Sequence, residues 1–131
     1  MEGLDLLAQS DSPNPNFLNV CTGIIAMRNT ETCRNLLRAV NTFLDKFNNE
    51  QEAMTYFVQN HKRFEELLNL KWKLIPFNVA YTYGSIAGQV WAGQDYNFTL
   101  PSKETLLFLH ANYCHHEWKE KLLDLFKQKL L

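Results

Sequence analysis

Apolar positions along most of the chain recur at three- and four-residue intervals, the spacing of one face of an α-helix. The pattern follows a polar lead-in, residues 1–13, and opens at Asn14-Pro15, an N-cap followed by proline at the first helical position. The apolar positions behind it are Phe17, Val20, Cys21, Ile24 and Ile25. This spacing predicts a first helix that ends near Arg28-Asn29.

Two further helices are predicted from capping residues that precede apolar stripes. Thr30 is a good N-cap, and Glu31 places an anion in the first turn. The stripe behind it consists of Cys33, Leu36, Leu37, Val40, Leu44 and Phe47. Asn48-Asn49 ends this second helix and caps a third. The third stripe contains Met54, Phe57, Val58, His61, Phe64 and Leu68, with a candidate break at Asn60-His61.

The segment from Trp72 to Trp91 predicts a fourth helix, which Pro76 must either open or kink. Its large residues Trp72, Val79, Tyr83, Ile86 and Val90 keep helical spacing, and Ala80, Gly84, Gly88 and Ala92 recur every four residues beside them. Glycine inside a helix costs about 1 kcal/mol relative to alanine. Close approach of another backbone, from this chain, a partner chain or a nucleic acid, would offset that cost. Alternation of apolar residues over 73–83 leaves a strand as the alternative.

Residues 93–101 form the main predicted loop, and Ser102 then caps a last helix with Glu104 in its first turn. The stripe of this helix includes Leu106, Leu109, His110, Tyr113, Cys114, Trp118, Leu122 and Leu125. The fold predicted from these patterns is all-α. Residues 1–131 are expected to form a single helical domain, a compact bundle of about five helices.

Composition narrows the classes of protein. The net charge of −1 argues against a nucleic-acid binder acting alone, because counterion release requires an excess of Lys and Arg. An odd cysteine count, three, without a CxxC pair indicates a reduced, cytoplasmic protein. The acidic first ten residues do not resemble a signal peptide, and no apolar run approaches the ~18–20 residues of a membrane span. We therefore expect no membrane association.

Candidate chemistry is sparse. His110 and Cys114 lie one turn apart on the predicted last helix, and His116 and Glu120 form a second such pair. Zinc needs four converging ligands, so we interpret His110 and Cys114 as core residues and predict no metal and no cofactor. Gly84-Ser85-Ile86-Ala87-Gly88 is not a nucleophile elbow. We predict no catalytic residues and no enzymatic activity.

Basic residues form two groups with the chemistry of phosphate contacts. The guanidinium group of arginine forms paired hydrogen bonds with phosphate oxygens, and an exposed tryptophan ring can stack on a nucleic-acid base. The first group is Arg28, Arg34 and Arg38. The second is Lys62, Arg63, Lys71, Trp72 and Lys73. These eight residues are the predicted nucleic-acid-binding set.

These features predict a non-enzymatic interaction subunit of a larger complex, in particular of a ribonucleoprotein. Small helical subunits of CRISPR effector complexes offer an analogy of architecture alone. Other protein subunits are the expected partners, with nucleic acid contacted through its backbone and self-association open. The alternative is a ligand- or metal-binding regulatory protein. A helical enzyme whose residues converge only in three dimensions is also left open.

Overall fold

The computed structural model describes residues 2–10, 18–75, 80–82, 108–110, 120, 124, 127 and 128. The chain divides into two compact units, Met1–Ile75 and Pro76–Leu131. The elements of the first unit are β1 (Leu6–Ser10), β2 (Val20–Met27), α1 (Glu31–Thr42), α2 (Glu50–Gln59) and β3 (Trp72–Leu74), with 3-10 turns at Leu44–Lys46, His61–Arg63 and Glu65–Leu67. The second unit contains β4 (Ala80–Thr82) paired in parallel with β5 (Phe108–His110).

A three-stranded mixed sheet in the order β2-β1-β3 organises the first unit. The central strand β1 is antiparallel to β2 and parallel to β3. Ala8, Gln9 and Ser10 are consecutive and all buried, so β1 is covered on both faces at its carboxyl half. This is an α/β fold, and the prediction of an all-α bundle is wrong.

The polar lead-in and the first predicted helix are both replaced by strands. Residues 6–10 form β1, and Val20 to Met27 form β2 where a helix over 15–28 was expected. The segment 20–27 contains β-branched residues and Gly23, which disfavour helix and suit a pleated strand. The consecutive residues Val20 and Cys21 are both buried, so this strand departs from simple alternation and its apolar spacing resembles that of a helix.

The two helices of the first unit, α1 and α2, begin where the capping residues predicted. The Thr30 hydroxyl accepts a hydrogen bond from the backbone N–H of Cys33, and the Asn49 side chain accepts one from Glu52. The candidate break at Asn60-His61 is confirmed, since α2 ends at Gln59. Helix α1 ends earlier than expected, and its predicted stripe to Phe47 is divided between helix and a 3-10 turn.

The core lies between the sheet and the two helices. Helix α2 packs on β2 and on α1, and α1 also contacts the turn Glu65–Leu67. The buried apolar cluster consists of Leu6, Ala8, Val20, Cys33, Leu36, Val40, Ala53, Met54, Phe57, Val58, Leu67 and Leu70. Leu36 is fully buried, whereas its neighbour Leu37 is 49% exposed. Helix α1 therefore presents one narrow face to the core.

Asp5 joins the three strands at the amino end of β1. Its backbone N–H donates to the Lys71 carbonyl at 2.7 Å, and its Oδ2 accepts from the Lys71 N–H at 3.0 Å. Its carbonyl accepts from the Arg28 N–H at 2.8 Å and from Cys33 Sγ at 3.3 Å. These contacts fix the return of the chain to the sheet across a separation of 66 residues.

The predictions of a fourth and a fifth helix are also corrected. Strands β3 and β4 lie inside the segment expected to be helical from Trp72 to Trp91, in agreement with the strand alternative over 73–83. Strand β5 interrupts the last predicted helix at His110, although Glu120, Asp124, Lys127 and Gln128 are helical. The predicted loop 93–101 lies outside the described residues.

Candidate functional site

The carboxyl end of β1 is where this sheet favours a ligand. Strand β1 is central in the sheet, and its carboxyl end lies at the same edge as that of the parallel strand β3. In open α/β sheets ligands bind outside the carboxyl ends of the parallel strands. Ser10 at the end of β1 is in register with Val20 at the start of β2, so both termini lie at this edge.

A set of polar side chains lies at this edge, which we call the polar edge. Its members come from the end of β1, the start of β2 and the first half of α2. They are Gln9, Ser10, Asn19, Thr22, Glu50, Gln51 and Thr55. Gln9 is 1% exposed and Ser10 8%, so hydrogen-bonding groups reach deep into the first unit here.

An irregularity in β2 shapes the polar edge. One residue step on β1, from Ala8 to Gln9, corresponds on β2 to the interval from Ile25 to Cys21. Thr22, Gly23 and Ile24 therefore have no register partner on β1. Bulges of this kind bend a strand, re-aim its side chains and are common next to active sites.

Hydrogen bonds from α2 hold the start of β2 in place. The Val20 N–H donates to Thr55 Oγ1 at 2.9 Å, and Gln51 Nε2 donates to Asn19 Oδ1 at 3.2 Å. Thr22 Oγ1 approaches Glu50 Oε1 at 3.5 Å. Helix α2 is thus hydrogen-bonded to residues at and just before the start of β2.

The chemistry of the polar edge is that of amides, hydroxyls and one carboxylate. An amide side chain both donates and accepts, and a hydroxyl does the same with a rotatable hydrogen. Such groups match the hydroxyls of a sugar or ribose, each of which is a donor and an acceptor. Glu50 is the ionisable member of the set. The arrangement therefore suits a hydroxylated ligand.

A comparison with protein families decides the classification. The family model of nucleotide-diphospho-sugar transferases matches residues 1–125. The chain belongs to this family. Neither the search of curated proteins nor that of solved structures gave a match.

Membership of the nucleotide-diphospho-sugar transferase family overturns the functional prediction. A non-enzymatic helical ribonucleoprotein subunit and its alternative, a regulatory helical protein, are both wrong. The expectation of no enzymatic activity is wrong for the same reason, since this is a family of transferases. Sequence reasoning failed here because it looked for local motifs, whereas this family match extends over nearly the whole chain.

The structure places Arg34 and Arg38 in a network on the exposed face of α1. Arg34 Nη2 lies 2.6 Å and Arg38 Nη1 3.1 Å from the carboxylate of Glu31. Hydrogen bonds from Arg34 and then Arg38 hold the pKa of Glu31 below its ordinary value of 4.5. Asn29 and Asn35 accept further bonds from the two guanidinium groups. These arginines are therefore engaged within their own helix.

The other predicted binding residues are spread over the first unit. The Arg28 N–H and both backbone groups of Lys71 contact Asp5, so these two residues lie at the amino edge of the sheet. Trp72 packs against the core, and Lys73 is exposed in β3. Lys62 and Arg63 occupy the turn His61–Arg63. That these side chains contact a nucleic-acid backbone stays a prediction.

Two further sets of predicted residues lie only partly among the described residues. They are the small residues Ala80, Gly84, Gly88 and Ala92, predicted to pack closely against another backbone, and the pair His110 and Cys114. Ala80 lies in β4, where the helix needed for the stripe is replaced by a strand, while Gly84, Gly88 and Ala92 lie outside the described residues. His110 lies in β5, and Cys114 also falls outside them. Among the residues that the structure describes, no three His, Cys, Asp or Glu side chains converge as a metal site.

The described helices include none that is long and apolar enough to cross a bilayer.

The residues of the polar edge were missed by sequence reasoning. Gln9 and Ser10 fall in the supposed lead-in, and Asn19 was placed inside a helix. Gln51 and Thr55 follow a correctly predicted cap but carry no motif. A weak signal was present, because uncharged polar residues in an otherwise apolar strand must find partners when buried.

Proposed function

We propose that this chain transfers a glycosyl group from a nucleoside diphosphate sugar to a hydroxyl acceptor and holds the donor at the polar edge. The family match over residues 1–125 carries the proposal. The hydrogen-bonding groups gathered at the carboxyl end of β1 support the location.

The reaction exchanges one bond for another at the anomeric carbon. The bond from this carbon to the diphosphate oxygen breaks, and a bond to the acceptor oxygen forms. The acceptor proton passes to a base, and the nucleoside diphosphate leaves with the bonding electrons. The described part of the chain contributes orientation, because fixed amide and hydroxyl groups select the hydroxyl pattern of the donor.

The leaving diphosphate requires stabilisation of its negative charge. Divalent cations often supply it, with one or two protein carboxylates and the phosphates as ligands. Glu50 is the carboxylate that the polar edge offers. Donor binding is therefore best measured both with and without Mg²⁺ or Mn²⁺.

A calorimetric titration of the full chain tests the proposal. The ligands are UDP-, GDP- and CDP-linked sugars, the matching nucleoside monophosphates, and a single-stranded RNA. We expect saturable binding of one diphosphate sugar in the ordinary range for enzyme substrates, about 1 μM to 1 mM. The monophosphate should bind at least about tenfold more weakly, since charged hydrogen bonds to the lost phosphate contribute about 1.5–3 kcal/mol. Absence of binding by every diphosphate sugar, or a preference for RNA, would contradict the proposal.

A further inference from the structure

Helix α2 is bonded to two consecutive residues where the chain enters β2. Thr55 Oγ1 accepts from the Val20 N–H at 2.9 Å, and Gln51 Nε2 donates to Asn19 Oδ1 at 3.2 Å. Gln51 and Thr55 are four residues apart in α2, so their side chains lie on the same face of the helix, one turn apart. We call these two hydrogen bonds the α2 clamp.

The bond from Val20 to Thr55 joins a buried backbone group to a side chain. Val20 is fully buried, and Thr55 is partly exposed. Buried backbone N–H groups in proteins are almost always paired, and one left without a partner is costly. The Thr55 hydroxyl supplies an acceptor to this N–H across a separation of 35 residues. Removing the hydroxyl therefore disturbs the start of β2 directly.

The pairing of β1 with β2 is short at the polar edge. Beyond the irregularity in β2, Gln9 and Ser10 pair with Cys21 and Val20, which is two residues on each strand. Strands are usually about 3–10 residues long, and a weakly held pairing is prone to slip in register. The α2 clamp acts at the open end of this short pairing. It therefore adds support where the ladder itself is weakest.

We propose that Thr55 is a positioning residue for the donor, a role that rests on the proposed function. Through the Val20 N–H it fixes the register at the polar edge, and with it the places of Ser10 and Asn19. A slip of one residue would turn each side chain of the strand to the other face of the sheet. Binding groups must be held within about 0.5 Å of their productive geometry. Thr55 thus acts on the donor through its neighbours.

The competing interpretation is that Thr55 only anchors the helix to the sheet. Loss of its hydroxyl would then lower the stability of the fold and leave the donor affinity of the folded chain unchanged. A positioning residue gives a different result, because the folded chain itself binds the donor more weakly. Serine at this position keeps the hydroxyl and should restore binding. Affinity measured on folded protein therefore separates the two roles.

The test titrates the full chain and its variants by calorimetry with UDP-, GDP- and CDP-linked sugars. Thr55→Val keeps the shape of the side chain and removes the acceptor. We expect it to weaken binding of the best donor about tenfold, because a buried N–H loses its partner. Thr55→Ala should weaken binding similarly, and its higher helix propensity makes it the second variant if valine fails to fold. Thr55→Ser should bind like the unsubstituted chain.

Thr42→Val is the matched control for loss of a threonine hydroxyl. Thr42 is exposed at the last residue of α1, and its substitution should leave donor binding unchanged. Hydrogen exchange supplies a local measurement, since it reports the opening of individual amides. The Val20 amide should exchange faster in Thr55→Val, whereas the amides of Ile25 and Ala26, on the other side of the irregularity, should keep their protection.

Several results would overturn the positioning role and leave the proposed function in place. They are equal donor affinity of the unsubstituted chain and both hydroxyl-free variants, failure of Thr55→Ser to restore binding, and the same loss of binding in Thr42→Val. Unfolding of both Thr55→Val and Thr55→Ala, seen by circular dichroism, would assign Thr55 to stability alone. Absence of donor binding by the unsubstituted chain would remove the proposed function, and the positioning role with it.

Discussion

Replacing Leu36 with alanine should lower the free energy of unfolding by about 3 kcal/mol, whereas Leu37→Ala should change it by less than about 0.5 kcal/mol. Leu36 is fully buried in the core cluster, and its truncation removes apolar contacts and leaves a cavity. Leu37 is adjacent in sequence, on the same helix and of the same residue type, but 49% exposed. Urea unfolding followed by circular dichroism measures both values.

The comparison of these two leucines also separates the two fold classes. In a helical bundle both belong to the apolar stripe of their helix, so both truncations would be costly. In the α/β arrangement only the face of α1 that contains Leu36 meets the core. Equal destabilisation by the two substitutions would speak against the arrangement described above.

Replacing Gln51 with alanine should weaken binding of the nucleoside diphosphate sugar about tenfold, while Gln59→Ala leaves it unchanged. Gln51 Nε2 holds the Asn19 side chain at the start of β2, at 3.2 Å. The substitution removes the Gln51 amide from the polar edge and also removes the hydrogen bond that holds the Asn19 amide in position. A hydrogen bond contributes about 0.5–1.5 kcal/mol net, and about 1.4 kcal/mol corresponds to tenfold in affinity.

Gln59 is a suitable control because it is the last residue of the same helix and is exposed. Both variants should retain the helical signal of the unsubstituted chain. Calorimetric titration with the best diphosphate sugar gives the two dissociation constants. Similar affinities for the two variants would place the donor elsewhere in the molecule.

The helix starts of the first unit were predictable from sequence because capping is local. Thr30 and Asn49 each bond a backbone N–H three residues ahead, and nothing distant is required. The ends of the helices were less predictable. Helix α1 stops at Thr42, although Leu44 and Phe47 continue the apolar spacing, because Leu44 enters a 3-10 turn and the ring of Phe47 packs 5.3 Å from that of Tyr56.

The strands could not be predicted because their pairing is not local. Strand β1 pairs with β3 across more than half the unit, and Asp5 reaches Lys71 over 66 residues. In β2 the consecutive residues Val20 and Cys21 are both buried, and this break in alternation imitates a helical period. Periodicity alone cannot separate the two states in a segment of this kind.

The polar edge was hidden for a related reason. Gln9, Asn19 and Gln51 are far apart in sequence and reach the same edge only when the sheet and α2 assemble. None belongs to a motif with fixed spacing. The basic residues drew attention instead because charge is visible in a sequence, yet Arg34 and Arg38 are occupied by Glu31.

A chemical-shift map of the isotope-labelled chain during titration with the best diphosphate sugar tests the central claim most directly. The donor should perturb the backbone amides of Ser10, Asn19, Thr22 and Gln51 at the carboxyl edge of the sheet. The amides of Asp5, Arg28 and Lys71 at the amino edge should change little. Perturbations concentrated at the amino edge, or none at saturating ligand, would contradict the assignment of this site.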